Sequence, residues 1–399
     1  MLTLLLTCPY GLVGVLNQEL KYLKYKPVDS FDTGTFVQTD RDGLIHLNLR
    51  SRVASKIYVQ LGETAPCSTF DELYTITYAA PRAERLPWTE FLTVNVHAHQ
   101  SQLHAPRSIQ SIVHKAILTH LNKPGSSDVE TGAVTPTENP YEIFCHLERD
   151  QVSLYLNTSW TWLHQRGYRI EAGEAPLKEN VAAALVLMSG RRRQDALRDP
   201  CCGAGTICIE ATMIARNIAP WLLRTFAFQQ FVNYPQQQFK HIKTESQKKW
   251  LTKTYHIFWS DLDPEILEKA KRNAERARVA DTIEFKQRNL LEVTDLYPLT
   301  SLFVDQTGQM AQPEGLPSME SVTVTHLHLI TNPPYGKRLQ STDIKQLYKK
   351  IVTLSNDATN HATLITSYPE FSDLLPMRRS RREVTNWPDI CYIRQKPKG

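Results

Sequence analysis

From about Trp160 onward, long helical stripes alternate with short apolar strands, and each strand runs into a loop of small or polar residues. That alternation constrains this chain most, because strands joined by helices lie parallel and bury both faces beneath those helices. It predicts a doubly wound α/β domain over residues 161–399, with ligands at the carboxyl ends of its strands. Two segments interrupt the pattern, Phe226 to Tyr255 and Ser301 to Ser321, and both read as loop insertions.

Upstream the periods are shorter. Met1 to Leu6 reads as a first strand; Leu12, Leu16, Leu20 and Leu23 fall on one helical stripe, and Thr35 to Gln38 returns as a strand after the break at Pro27. A helix over Leu44 to Arg52 and a strand through Ile57, Val59 and Leu61 complete an α+β unit over residues 1–62. A second α+β unit follows over 63–160. It has a half-buried strand from Phe91 to Ala98, an amphipathic helix marked by Ile109, Ile112, Val113, Ala116 and Ile117, and a hairpin of Tyr141 to Leu147 with Val152 to Leu156. Asn122 to Pro140, rich in Gly, Ser, Thr and Pro, reads as a loop.

At 399 residues the chain has room for two or three domains, and 41% hydrophobic with 22% charged residues excludes a disordered polymer. The longest apolar run, Val181 to Met188, is eight residues, far short of the roughly 20 that cross a bilayer. Met1 to Leu6 has no basic segment before it, so no secretory signal is read, and seven cysteines without a C-x-x-C pair are expected to be reduced thiols in the cytoplasm. Neither a disulfide framework nor a zinc site is expected, and no metal is assigned. Residues 376–399 carry seven basic against two acidic side chains, a surplus equal to the net charge of +5 of the whole chain. A basic end on a neutral body fits a polyanion, although charge runs are commonly solvated faces.

Three stretches carry chemistry. In the first, Asp199 ends a strand, Pro200-Cys201-Cys202 follow, Gly203 and Gly205 make a tight turn, and a helix opens at Thr206. Glycines admit a ligand close to the backbone, and the acid and the turn amides bind its polar groups. Paired glycines also occur for steric reasons alone. The absence of G-x-G-x-x-G and of a Gly-Lys-Ser/Thr sequence weighs against dinucleotide and nucleoside-triphosphate sites. In the second, His256 to Ser260 leads to Asp261, placed for ribose hydroxyls, while Asp263 before Pro264 reads as a helix N-cap. In the third, a buried strand ends in Asn332-Pro333-Pro334-Tyr335. Two prolines supply no N–H, so the Asn332 side-chain oxygen and the Pro333 carbonyl stand as fixed acceptors beside an aromatic ring. Such a pair holds both hydrogens of an amine attached to a planar ring while Tyr335 stacks on that ring. His326 and His328 lack a third ligand and read as structural, and Cys201, Cys202 and Cys208 read as packing.

Together these stretches resemble class I S-adenosylmethionine-dependent methyltransferases of the N-P-P-Y branch. Leu163 to Arg169 (Leu-His-Gln-Arg-Gly-Tyr-Arg), Ala175 to Asn180 (Ala-Pro-Leu-Lys-Glu-Asn) and the helix of Val181 to Met188 resemble the entry to the catalytic domain of THUMP-domain RNA methyltransferases. Arg50 to Ile57 resembles the same family's junction between a ferredoxin-like unit and a THUMP domain. The resemblance covers nearly the whole chain and is greatest to bacterial 23S rRNA guanine-N2 methyltransferases. It implies a ferredoxin-like domain (1–62), an RNA-binding THUMP domain (63–160) and a class I methyltransferase domain (161–399). Carried over, it assigns donor contacts to Asp199, Cys202, Gly203, Gly205 and Thr206, the ribose to Asp261, and the target amine to Asn332, Pro333, Pro334 and Tyr335. The adenine edge falls to Asn289, where the family has Asp; its carbonyl oxygen keeps the ability to accept from the adenine amine. The expected cofactor is S-adenosylmethionine and the expected partner RNA, with tRNA as the alternative to 23S rRNA. A non-catalytic RNA-binding ribosome assembly factor is the alternative of another class.

Overall fold

Apolar residues at alternate positions build the first sheet, each strand turning its core side chains to one face. The computed structural model describes residues 1–80, 92–121, 140–171, 177–221, 224–231, 233–293, 326–335, 341–355, 360–368, 380–386 and 389–395. It opens with β1 (Leu2–Thr7), α1 (Val13–Tyr22), β2 (Pro27–Phe31), β3 (Gly34–Thr39), α2 (Arg41–Arg50) and β4 (Lys56–Pro66). Then come α3 (Phe70–Ala79), β5 (Leu92–His99), α4 (Pro106–Leu121), β6 (Tyr141–Glu148) and β7 (Gln151–Asn157). These strands form one sheet in the order β2-β3-β1-β4-β7-β6-β5, antiparallel except where β5 lies beside β6. β4 pairs with β1 on one side and β7 on the other, so residues 1–62 and 63–160 share a continuous sheet.

Of the expected stripe, Leu16 and Leu20 on α1 and Leu12 just before it are buried, while Leu23, past its end, is half-buried. Two elements were not legible. β2 is largely exposed and has no apolar alternation, and α3 buries only Leu73 and Thr77. A capping box was the available signal for α3: Glu72 N donates to Thr69 Oγ1 at 3.2 Å, and Thr69 N donates to Glu72 Oε2 at 3.0 Å. The expected loop at 122–140 lies, but for its last residue, outside the described residues.

The chain continues with α5 (Glu179–Met188), β8 (Ala196–Asp199), α6 (Thr206–Ala215), α7 (Gln236–Lys248), β9 (Ile257–Asp261), α8 (Pro264–Arg276) and β10 (Ile283–Gln287). It closes with β11 (Leu327–Thr331), α9 (Ser341–Ser355), β12 (Asn360–Thr366), β13 (Ser380–Asn386) and β14 (Asp389–Gln395). The second sheet has the order β10-β9-β8-β11-β12-β14-β13. It is parallel from β10 to β12, and β14 runs against both β12 and β13. The doubly wound α/β expectation is met. The chain lays β8, β9 and β10 outward in one direction, then returns to set β11 and β12 on the other side of β8. The topological switch point therefore falls between the carboxyl ends of β8 and β11, where such sheets open a crevice. All of β11 is buried, and Leu327, Leu329, Ile344, Tyr348, Ile351 and Leu364 form the core beneath that crevice.

Two compact units divide the chain: Met1–Cys8, Leu16–Leu163 and Pro220–Lys248 in one, Pro9–Val15, His164–Ala219 and Lys249–Gly399 in the other. The segment Phe226 to Tyr255 is thus more than a loop insertion. It carries α7, and most of it belongs to the first unit, where Gln238 Nε2 donates to Asp42 Oδ2 at 2.6 Å. Its helical period was hidden because the buried face of α7 holds only Phe239 and a serine, Ser246. The Ser301 to Ser321 insertion, Arg378 and Arg379 lie outside the described residues. Arg381 on β13 faces Arg394 on β14 across the final hairpin. Among the described residues no helix is long and apolar enough to cross a membrane.

Candidate active site

The turn after β8 is shaped by what each backbone position tolerates. Gly205, the residue before α6, has φ +82°, and a Cβ there would sit 1.8 Å from Trp259 Cζ3. Only glycine fits that close approach. Trp259 is itself fixed by stacking on Phe285, with ring centroids 4.5 Å apart. Gly203 also has positive φ, +53°, yet a Cβ there would meet nothing within 4 Å. One glycine is therefore required by packing, whereas the other borders open space, as a ligand-facing turn requires. Cys202 N donates to Ser260 O at 3.1 Å, Gly205 N to Cys202 O at 2.9 Å, and Gly203 N to the Asp261 carboxylate at 2.9 Å.

Asp199 ends β8 almost wholly buried. Its Oδ1 accepts from Thr331 Oγ1 at 2.7 Å and from Cys201 N at 3.2 Å. Burial pushes its pKa up to about 7; those two hydrogen bonds act against the shift and the nearby Asp261 charge adds to it. A raised carboxyl pKa favours folding at low pH, and that contribution is lost as pH climbs through the folded value. Above pH 7 the buried charge opposes folding by roughly 4 kcal/mol at most. Asp199→Asn keeps an acceptor for both donors, so it is expected to raise Tm relative to the parent at pH 8 and to leave the two alike at pH 4. Thermal melts at the two pH values measure this, and an equal difference at both would reject it.

Asp261 ends β9 beside Asp199. Its carboxylate accepts from Gly203 N and, at 3.2 Å, from Asp263 N, while burial shifts its pKa upward. Asp263 is the expected N-cap, accepting from Glu265 N at 2.8 Å with Pro264 behind it. Asn289 follows β10, where its Oδ1 accepts from Leu291 N at 3.1 Å and its Nδ2 donates to Glu292 Oε1 at 3.0 Å. One lone pair of that oxygen remains for a further donor. Thr206 opens α6, and its hydroxyl accepts from Arg169 Nη1 at 3.3 Å.

On the other side of the switch point stands the Asn332-Pro333-Pro334-Tyr335 stretch. Asn332 Oδ1 is buried and has no hydrogen-bond partner among the described residues. An acceptor left in that condition costs about 1–3 kcal/mol unless a ligand supplies the donor. Pro333 is buried, and Pro334 and Tyr335 are partly exposed. The structure thus brings Asp199, Cys202, Gly203, Gly205, Thr206 and Asp261 together at one end of the sheet, with Asn289 beyond β10 and Asn332 to Tyr335 across the switch point.

Sequence reading passed over two residues that hold this arrangement. Thr331 bonds Asp199, as above. Asn273 on α8, fully buried, donates from one Nδ2 to Ala204 O at 3.2 Å, within the glycine turn, and to Glu171 O at 3.0 Å. Both are short polar residues whose partners lie far away in sequence, and the periodic pattern of their elements gave no signal for either. The Cys201, Cys202 and Cys208 thiols are pushed well above their ordinary range by burial, which makes poor nucleophiles. His328 lies 3.4 Å from Asp195 and stacks on His361 with centroids 4.7 Å apart. Burial first, then the neighbouring His361, holds its pKa down near 4. Among the described residues no group of three side chains is arranged to hold a metal.

A parallel sheet that turns back through an antiparallel β14 differs from the all-parallel dinucleotide-binding sheets, and its glycine turn lacks their third glycine. With an acid closing both β8 and β9, the fold and site define a class I S-adenosylmethionine-dependent methyltransferase. Comparison with known proteins narrows the class. A family model described as RMKL-like, methyltransferase domain matches residues 166–301, and one described as RlmL ferredoxin-like domain matches residues 3–58. YpsC of Bacillus subtilis (strain 168), named as a candidate RNA methyltransferase, is 32% identical over 356 residues that cover 88% of this chain and 83% of YpsC. This chain belongs to the RMKL-like methyltransferase family. The ribosomal RNA large subunit methyltransferase K/L of Shewanella frigidimarina is 29% identical over 350 residues, 86% of this chain. The chain spans about half the length of that relative, 45%. A candidate methylase from Clostridium difficile 630 superposes with a TM-score of 0.83 at 27% identity, covering 99% of this chain and 98% of its own. SMU.472, a candidate methyltransferase solved with S-adenosylhomocysteine, gives 0.79 at 26% identity over 99% and 97% of the two chains.

Proposed function

We propose that this chain moves the methyl group of S-adenosylmethionine to the exocyclic N2 of a guanine in RNA, with 23S rRNA as the substrate. The observation that carries the reading is the unpaired, buried Asn332 Oδ1 across the switch point from the open side of Gly203. Both features fit a donor and an acceptor meeting at one crevice. S-adenosylmethionine supplies the electrophilic methyl group. Asp199, Cys202, Gly203, Gly205 and Thr206 hold its methionine end, Asp261 its ribose and Asn289 the edge of its adenine. Asn332 Oδ1 and the Pro333 carbonyl accept the two amine hydrogens, Pro334 stiffens the turn, and Tyr335 stacks on the base. The amine lone pair then faces the methyl carbon, and the rate gain comes from positioning and exclusion of water. No strong base is needed, because the amine proton turns acidic only as the new bond forms. A paired guanine hides N2 in the duplex, so the target is single-stranded or flipped out.

Residues 1–62 and 63–160 are proposed as the ferredoxin-like and THUMP domains that dock RNA, and 161–399 as the catalytic domain. The name of the K/L relatives supports ribosomal RNA of the large subunit; tRNA guanine is the alternative substrate. A solved relative from Listeria monocytogenes carries the name of a candidate N6-adenine-specific DNA methylase at 27% identity, so the test must separate the two bases. Nucleoside mass spectrometry of 23S rRNA, tRNA and DNA treated with the protein and labelled cofactor is expected to find N2-methylguanosine in 23S rRNA alone. N6-methyladenosine would overturn the choice of base, and label in tRNA the choice of RNA. Label in no nucleic acid, ribosome precursors included, would favour a non-catalytic assembly factor.

A further inference from the structure

The seam between β8 and β11 is not closed by backbone pairing at its upper end. Leu327 faces Ala196, His328 faces Leu197 and Leu329 faces Arg198, and there the ladder stops. On its other side β11 stays paired with β12 as far as Thr331 opposite Leu364. Two residues beyond the last rung, the Thr331 hydroxyl reaches across the open seam and donates to Asp199 Oδ1 at 2.7 Å. Both residues are almost wholly buried, so water does not compete for the bond. Asn332, the residue with the unpaired acceptor, is next in the chain.

We infer that Thr331 is a positioning residue, whose hydroxyl fixes the acid at the end of β8 and the acceptor oxygen at the end of β11 to one another. The inference rests on the reading that Asp199 faces the methyl donor and Asn332 the acceptor. Two consequences follow from the direction of the bond. A hydroxyl that donates to a carboxylate favours the ionised form. The other groups facing Asp199 are the Cys201 N–H, which acts in the same sense, and Asp261 with the Cys201, Cys202 and Cys208 thiols, which do not. Both hydrogen bonds that described residues give Asp199 end on Oδ1, which leaves Oδ2 for the ammonium of the donor's methionine end. Loss of the hydroxyl also frees the end of β11, and Asn332 with it, from β8.

The test compares wild type, Thr331→Val and Thr331→Ser in the full chain. Calorimetry with S-adenosylhomocysteine between pH 5 and 9 reads Kd against pH, and a tritiated-methyl assay on rRNA at saturating donor reads kcat. For wild type, affinity is expected to fall as pH drops below about 7, because the carboxyl must ionise to hold the ammonium. Thr331→Val is expected to move that midpoint up by about one pH unit. At pH 7 it should weaken binding about fivefold to tenfold, and it should lower kcat about tenfold. Thr331→Ser restores the hydroxyl and is expected to restore both quantities. A merely structural role would lower Tm without moving the midpoint. Wild-type midpoint and kcat in Thr331→Val would overturn the inference. A wild type that binds no donor, or methylates no RNA, would instead overturn the preceding reading and take this one with it.

Discussion

Asn332→Ala is expected to remove turnover, with kcat down by about 10²–10³-fold or more, while the dissociation constant for S-adenosylmethionine stays within about twofold. The asymmetry follows from position. Asn332 lies beyond β11, on the far side of the switch point from the glycine turn, and its Oδ1 is buried without a partner among the described residues. An oxygen held there bonds to nothing among the described residues, so removing it is expected to cost the fold little and the acceptor amine one of its two fixed hydrogen bonds. Calorimetry and a methyl-transfer assay on the same preparation separate the two effects. Equal losses of binding and turnover would move Asn332 to the donor side.

The two turn glycines are expected to fail in opposite ways. Gly205→Ala would place its Cβ 1.8 Å from a tryptophan ring already locked against Phe285, at φ +82°. Overpacking and left-handed backbone together cost about 2–5 kcal/mol, enough to lower Tm by roughly 5–15 °C. Gly203→Ala meets no atom within 4 Å and carries only the backbone cost, about 1–2 kcal/mol. Its methyl group, however, would stand in the open space where the proposed site places the cofactor. Cofactor affinity is therefore expected to drop at least about tenfold, with Tm lowered by only about 2–6 °C. Thermal melts and calorimetry on both variants check the pair, and a Gly203→Ala protein that binds like wild type would place the cofactor elsewhere.

Much of the candidate site was legible because its proposed chemistry lies in residue types that a strand end rarely carries without cause. Asp199, Gly203, Gly205, Asp261 and Asn332 each follow a run of buried strand residues, and the sheet order sets them at neighbouring carboxyl ends. Thr331 and Asn273 were not legible, because their work is defined by atoms far away in sequence, Asp199 Oδ1 and Ala204 O. A threonine ending a strand or an asparagine in an amphipathic helix satisfies the periodic pattern whether or not it bonds to anything. For the fold, strong alternation and stripes gave β1, α1, β5, α4 and the β6–β7 hairpin. What escaped were elements stabilised by few apolar residues. β2 is mostly exposed, and α7 reads as polar because its buried face includes Ser246.

The return of residues 220–248 to the first unit bears on how a protein of this kind is inherited. The chain passes between its two units after Cys8, Val15, Leu163, Ala219 and Lys248. Units joined by one linker can be exchanged, duplicated or grafted onto new neighbours by a single recombination event. Here any single break strands a piece of one unit on the other. A break after Leu163 would leave Trp221, Phe226 and Phe228, buried in the intact chain, attached to a fragment that keeps α7 but none of the strands of their own unit. The two units are thus expected to descend together, and departures from this layout among relatives to arise by additions at the ends or in loops rather than by swapping one unit for another.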